Sequence, residues 1–216
     1  MGLVACSHGR RRGPDPAQSK ERDDVMSPTE SAPTSYAQSP ATADDAKTMC
    51  ARSLRIMANG DLSDFEALID PAATNREAAN EPMAARGEGP AAFYATALWL
   101  RGAFSDMRWD VHETVADGDL VVIHSTMSGR HTGPFVLYDS AGTASQVMPP
   151  TGRAFSANQT HWFRIAGGKV IEHWANRDDL ATAQQAGWIP PSPRYLVRMA
   201  LAKRQARAAA SKSPRR

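Results

Sequence analysis

The sequence predicts an α+β domain: a strongly curved, mostly antiparallel sheet covered on one side by helices that come first in the chain, with a pocket enclosed between the layers. Three observations predict it. Helical patterns come first, over about residues 44–104, alternating patterns follow from about residue 108, and two long alternating runs each contain a two-residue turn signal, Asp117-Gly118 and Gly167-Gly168. Segregation of helices from strands along the chain is the pattern of an α+β arrangement.

Residues 1–43 are rich in Ser, Pro, Ala and Asp and carry almost no aliphatic periodicity, so burial there does not offset ordering entropy and disorder is expected. The folded domain is expected over 44–190, with a basic tail over 191–216. From Asp44 the residues Cys50, Leu54 and Met57, with Met49, Ser53 and Ile56, form one helical face that ends at Asn59-Gly60. Ser63 and Glu66 form a capping box for a short helix holding Phe65, Leu68 and Ile69, closed by Pro71. Gly89-Pro90 opens a helix whose Phe93, Ala97, Leu100 and Phe104 recur at the spacing of a buried stripe.

Strands follow. Arg108–Val115 and Leu120–Arg130 are joined at Asp117-Gly118, which pairs Val111 with His124 and Glu113 with Val122. Residues 132–152 read as a long connection with one short strand near Phe135–Tyr138. The last hairpin turns at Gly167-Gly168, where a type I′ turn needs positive φ at both positions and glycine supplies it without steric cost. That loop pairs Ala166 with Lys169, Ile165 with Val170, Phe163 with Glu172, and His161 with Trp174. The inward face then carries Phe155, Ala157, Gln159, His161, Phe163 and Ile165 on one strand, and Val170, Glu172, Trp174, Asn176 and Asp178 on the other. A loop one residue longer flips the second strand. Leu180–Ala186 forms a helix stopped at Gly187.

Composition narrows the function classes. Two cysteines, Cys6 and Cys50, lie far apart, which argues against a disulfide scaffold or a zinc site and suits a reducing, cytoplasmic setting. Ala91–Leu100 is half the length a bilayer crossing needs, so no span is expected, and the amino terminus lacks the pattern of a secretory signal. The histidines show no helical i, i+4 pairs, so no metal constellation stands out. Gly87-Glu88-Gly89 lacks a third glycine, and there is no phosphate loop and no Gly-x-Ser-x-Gly elbow, which removes the nucleotide and serine-hydrolase readings. Net charge is +2, yet no Asp or Glu follows Asp179, while Arg194, Arg198, Lys203, Arg204, Arg207, Lys212, Arg215 and Arg216 do. The leading reading of this end is a solvated tail, the alternative a short amphipathic helix that touches a membrane surface, nucleic acid or a partner.

The order of elements, Pro149-Pro150-Thr151-Gly152-Arg153, the strand Thr160-His161-Trp162-Phe163-Arg164, the strand Gly168-Lys169-Val170-Ile171-Glu172-His173-Trp174 and the continuation Asn176-Arg177-Asp178-Asp179-Leu180 resemble the SnoaL-like polyketide cyclase and ester cyclase family. That family belongs to the cone-shaped α+β superfamily named after nuclear transport factor 2. The resemblance covers roughly Asp44 to Pro190 and is tightest from Pro149 onward. It implies a catalyst that uses no cofactor and no metal, closing rings by an intramolecular aldol-type reaction on a hydrophobic polyketide-like or small carbonyl substrate, and a homodimer. It also implies that Asp178 is the acid/base. This chain departs from the pattern at Ala186, where Leu is more usual, and in the longer stretch from Val136 to Val147, which has room to reshape or lid the pocket.

A carboxylate in apolar surroundings removes a carbon-bound proton because desolvation raises its pKa towards working pH. Asp178 is the expected base, His161 its hydrogen-bond partner or second proton carrier, and Trp174 an aromatic wall. Asn176, His124, His131 and Phe163 are the other expected substrate contacts. The structural alternative for Asp178 is an N-cap of the following helix, a task Asp179 is also placed to perform. Phe93, Tyr94 and Trp99 read as core. His112 and His124 either line the pocket or face solvent, and His131 either gates the mouth or sits on an exposed loop. Glu172 is expected to pair with Arg164, Arg177 or a backbone group near the rim. Beside the enzyme reading stand a non-catalytic small-molecule-binding or dimerisation module of the same fold, and a platform whose basic tail binds nucleic acid.

Overall fold

The computed structural model describes residues 42–212, so the segment expected to be disordered lies, apart from its last two residues, outside the described residues. The order is α1 (Ala43–Asn59), α2 (Leu62–Leu68), β1 (Ile69–Asn75), two single-turn helices, α3 (Gly89–Ala103), β2 (Phe104–Asp117), β3 (Leu120–His131), β4 (Phe135–Tyr138), β5 (Ala144–Met148), β6 (Ala154–Ala166), β7 (Lys169–Arg177), α4 (Asp179–Gln185) and α5 (Pro193–Lys212).

α1 starts where the Thr42 side chain accepts from the Asp45 amide, beside two acidic residues that suit the positive end of a helix. Its Ala46, Cys50, Leu54 and Ile56 are buried against the sheet. The capping box of α2 is Asp61 with Asp64 rather than Ser63 with Glu66, and Ile69 already belongs to a strand. Pro71 does not stop a helix. It sits in β1, an edge strand that runs parallel to β7, where a residue without an amide proton is tolerated. α3 is tied to α1 by Arg101, whose guanidinium donates to the carbonyls of Met57 and Ile56.

The main sheet has the order β1-β7-β6-β3-β2, antiparallel except for its β1 edge. Its long strands twist and carry bulges, which bend the sheet around α1 and α3. The β2–β3 loop is Gly118-Asp119, one residue later than the signal read from sequence, so Glu113 rather than Val111 opposes His124. The 132–152 connection contains the expected β4 and also β5, and the two pair as a separate hairpin. The Trp99 indole donates to the Val136 carbonyl at 2.8 Å and holds that hairpin over the mouth of the bent sheet.

The last hairpin turns as expected, with Gly167 and Gly168 at φ 58° and 73° and Ala166 opposite Lys169. Beyond Val170 the register departs. A bulge at Ile171 places Glu172 opposite Arg164, His173 opposite Phe163, Trp174 opposite Trp162 and Ala175 opposite His161. Because side chains alternate with period two, one extra residue turns the rest of β7 over. His173, Ala175 and Arg177 therefore take the inward row, and Glu172, Trp174 and Asn176 the outward one.

Where it is described, the basic end is a docked helix rather than a free tail. Residues Pro193–Lys212 form a helix that lies along β5, with Tyr195 buried and its hydroxyl donating to the Pro149 carbonyl at 3.0 Å. Arg198 donates to the Pro150 carbonyl and Arg207 to the Ala144 carbonyl, so part of the positive charge is spent on backbone oxygens of the hairpin.

Gly89, the first residue of α3, has φ 75°, and a Cβ there would stand 2.4 Å from the Pro71 carbonyl oxygen. Gly89→Ala is expected to destabilise the fold by roughly 2 kcal/mol or more, because strain and overlap with backbone act together. Urea unfolding followed by tryptophan fluorescence measures it; a midpoint equal to that of the parent would show that α3 is free to shift away from β1.

Candidate active site

Between the inner face of the sheet, α1, α3, α4 and the β4–β5 hairpin lies a cavity of about 520 Å³, a size suited to a small organic ligand. Its lining includes the aromatic rings of Phe93 and Trp99 from α3 and of Phe104, Phe135, Phe155 and Trp188. Phe135 and Trp188 stack at 5.4 Å with their planes 8° apart. The hairpin read as a connection thus supplies part of the pocket through Phe135, Leu137, Gln146 and Met148.

Several polar groups meet in one corner. β6 alternation turns Gln159, His161 and Phe163 inward, as predicted, and the three are buried. The Trp109 indole donates to Gln159 Oε1 at 3.1 Å, and His161 Nε2 lies 2.9 Å from the same oxygen. His161 Nδ1 lies 3.1 Å from His173 Nε2, and His173 Nδ1 lies 3.1 Å from Asn75 Oδ1. The result is a string from β2 through β6 and β7 to β1. His173 packs against Phe163 at 5.0 Å and Phe93 at 6.3 Å. Burial, reinforced by the Arg177 charge, pushes the His161 imidazole down to about 3, and burial with His161 and Arg177 holds His173 well below its ordinary value.

The buried carboxylate of the cavity is Glu81, on the segment between the two single-turn helices. It is only 4 % exposed, and the Thr96 hydroxyl of α3 donates to its Oε2 at 2.5 Å. Burial pushes it above the ordinary carboxylate value, against the opposing pull of the Thr96 hydrogen bond and of Arg177. Arg177, at the end of β7, lines the same cavity and donates to Glu77 at 3.3 Å.

Asp178 is not the desolvated acid that the sequence pattern suggested. It is exposed, lies outside the cavity lining, and caps α4 by accepting from the Ala181 amide at 2.8 Å. Its partner is therefore not His161. Trp174 is no aromatic wall of the pocket, since the bulge sends it outward to stack on Trp162 at 5.9 Å, with the Arg76 guanidinium 4.5 Å over its ring. Asn176 is exposed for the same reason. His124 is exposed on the outer side, 5.4 Å from His112, because inward positions of β3 fall on Ile123 and Met127. His131 is fully buried behind the wall and does not gate the mouth; its Nδ1 accepts from the Trp188 indole at 3.1 Å and so positions a lining ring. Phe163 does line the cavity, and Phe93 and Trp99, read as core, line it as well. Glu172 pairs with Arg76 and, more distantly, with Arg164 at 3.7 Å.

Glu81, Thr96, Asn75, His173 and Arg177 escaped sequence reasoning. A signal existed for Gln159, which shares the inward period with His161, but none for Glu81, which lies in an aperiodic polar loop. Among the described residues no group of His, Cys, Asp and Glu is arranged to hold a metal ion, and no helix is long and apolar enough to cross a membrane.

A bent α+β sheet wrapped over helices, with an aromatic cavity and a buried polar corner, defines a class of small-molecule pocket proteins. Within that class the assignment is specific. Residues 47–186 match the family described as SnoaL-like polyketide cyclase, and the chain belongs to it. It is 37% identical over 106 residues to aklanonic acid methyl ester cyclase DnrD of Streptomyces peucetius, a match that covers 49% of this chain and 66% of that protein. It is 34% identical over 100 residues to nogalonic acid methyl ester cyclase of Streptomyces nogalater, covering 46% and 67%. The chain thus spans about two thirds of the length of these relatives. Of solved structures, TsrD from Streptomyces laurentii superposes with a TM-score of 0.56 at 22% identity, over 68% of this chain and 98% of that one. A SnoaL-like protein from Jannaschia sp. CCS1 superposes with a TM-score of 0.55 at 21% identity, over 71% and 98%. These two likenesses concern the fold.

The depressed His161 sets a pH dependence. Its folded value lies below the unfolded one, so the unfolded chain binds more protons between roughly pH 6.5 and about 3. The stability this group contributes is present above that window and is lost as pH falls through it. Urea midpoints measured across the window should fall more steeply for the parent than for His161→Asn; parallel slopes would mean that the ring is not held neutral by burial.

Proposed function

We propose that this chain is a cyclase that closes a ring within a hydrophobic, carbonyl-rich substrate by an aldol-type reaction, without a cofactor. The observation that carries this reading is a buried carboxylate in the lining of a largely apolar cavity. In this mechanism Glu81 takes the proton from the activated carbon. The enolate oxygen faces the spare N–H groups of Gln159 and Arg177, and the carbanion attacks a second carbonyl of the same molecule. A carbon–carbon bond forms, a carbonyl π bond breaks, and the new alkoxide takes back the proton held by Glu81. The step is proton-neutral and redox-neutral. His161 and His173 act as positioning residues, fixing the amide of Gln159. The names of the two relatives support a methyl ester of a polyketide acid as substrate. A cytoplasmic location and a homodimer go with the reading, supported by the free thiol of Cys50 and the apolar side chains of Val111 and Val115 left exposed on β2.

A second reading keeps Asp178 as the base. It is favoured by one observation: Asp178 Oδ2 has no hydrogen-bond partner among the described residues, and its neighbours Arg177 and Asp179 both line the cavity.

Two conservative variants separate the readings. Asn caps a helix as well as Asp, so Asp178→Asn removes the charge and keeps the cap. Steady-state ring closure of a polyketide methyl ester should drop by roughly a hundredfold or more in kcat for Glu81→Gln, the scale of a lost general base. Asp178→Asn should stay within about threefold of the parent on that scale. The reverse pattern would transfer the role to Asp178.

The folded value of Glu81 is raised, so the stability it contributes is present below the unfolded value and lost as pH rises through the folded one. Once ionised, the buried group carries a desolvation cost that Gln does not. Glu81→Gln should therefore melt roughly 2–4 °C higher than the parent near neutral pH, the response of a domain of this size to about 1 kcal/mol. Differential scanning calorimetry measures it, and a lower melting point would place Glu81 among groups that need their charge for folding.

A further inference from the structure

The string in the polar corner fixes a count of protons. An indole N–H only donates, so Gln159 Oε1, 3.1 Å from Trp109 Nε1, is held as an acceptor. His161 Nε2, 2.9 Å from that oxygen, must then carry a hydrogen. At the other end the Glu77 amide donates to Asn75 Oδ1 at 3.2 Å, which holds that oxygen as an acceptor. His173 Nδ1, 3.1 Å from it, must carry a hydrogen too. Each neutral imidazole has one N–H, and both are now used. Yet His161 Nδ1 and His173 Nε2 face each other at 3.1 Å. With both rings neutral, that contact sets lone pair against lone pair. A third proton turns it into an N–H···N hydrogen bond and gives the pair one positive charge.

Turning either amide does not remove the demand. Rotating Gln159 sets its NH₂ against the Trp109 indole N–H, and rotating Asn75 sets its NH₂ against the Glu77 amide. The surroundings oppose the charge from several sides. The Arg177 guanidinium, at the end of β7, repels a cation, and the Glu77 carboxylate is engaged by Arg177 rather than by the rings. Glu81 is bound to Thr96, and what α3 and β6 pack on His173 are the uncharged rings of Phe93 and Phe163. No carboxylate hydrogen-bonds to either imidazole among the described residues. A corner whose hydrogen bonds call for a proton that its own charges resist is completed by an anion arriving in the cavity that these side chains line.

We propose that this corner holds monoanions, a carboxylate that binds or the enolate that Glu81 generates in place, and that the His161–His173 pair takes up one proton from solvent as the anion enters or forms. Binding a carboxylate changes no ligand bond: neutral pair, solvent proton and anion become a cationic pair beside the anion. The choice of an enolate as the natural anion rests on the cyclase reading, whereas the proton uptake is tested by binding alone.

The probes are naphthoate and its uncharged methyl ester, titrated calorimetrically near neutral pH in phosphate and in Tris, whose different ionisation heats report protons exchanged. About one proton taken up per naphthoate bound, none for the ester, and at least roughly tenfold tighter binding of the acid are expected, the last being the equivalent of about 1.4 kcal/mol. Asn75→Leu releases His173 Nδ1 from its acceptor, lets the neutral pair bond without a third proton, and should abolish the uptake that accompanies naphthoate binding. Nitrogen-15 NMR of the imidazoles in the parent protein reads the same event without a variant, as a cationic pair with naphthoate and a neutral pair with the ester. Naphthoate bound with no proton uptake, or with both rings neutral, overturns the inference and leaves the cyclase reading standing. Failure of both probes to bind overturns the inference and leaves the cyclase reading to the ring-closure assay. Proton uptake without ring closure in the activity assay supports the inference and removes only the cyclase reading.

Discussion

The inward row of β6 is the constraint on which the rest depends. A strand alternates its side chains strictly, so one face of this strand must carry both the apolar residues that hold the sheet to its helices and the polar residues that serve the cavity. Phe155, Ala157, Phe163 and Ile165 do the first, Gln159 and His161 the second, and all six are buried. The polar pair is held there by contacts from neighbouring strands: Trp109 from β2 on Gln159, His173 from β7 on His161 and, through it, Asn75 from β1. The hydrogen-bond string crosses the sheet at right angles to its strands and ties its two edges together.

The bulge at Ile171 makes this possible. Without it Glu172 and Trp174 would point into the cavity, an uncompensated charge and a bulky ring in the space a ligand needs. With it, Glu172 reaches Arg76 and Arg164 on the outer side, Trp174 stacks on Trp162, and the inward row of β7 receives a second imidazole and a guanidinium. One inserted residue exchanges the contents of the two faces.

A polar corner of this kind is held against its own cost. Glu81 and two imidazoles lie in surroundings that disfavour their charged forms, and the scaffold around them is tied together by a clamp from Arg101 onto the end of α1, an indole bond from Trp99 to β4, and α5 docked along β5 through Tyr195. Supporting contacts of this kind let a buried proton carrier keep an unfavourable environment rather than relax into water.

The sequence by itself determined the α+β class, α1, α3, α4, the two long hairpins, the turn at Gly167-Gly168 and the inward face of β6, because these follow from local periodicity, caps and glycine conformations that a few neighbouring residues dictate. It also carried the family resemblance that the match over 47–186 supports. Tertiary structure decided the contents of β7 beyond Val170, since a bulge is set by pairing with β6 and not by any local pattern, and so it moved Trp174 and Asn176 out and His173 and Arg177 in. It decided likewise that Asp178 spends its carboxylate on a helix end while Glu81, in a segment with no periodicity, is the buried acid. Its burial comes from α3 and from the sheet folding over it, elements distant in the chain, and desolvation by distant parts of a fold leaves no mark on the residues beside a carboxylate in sequence.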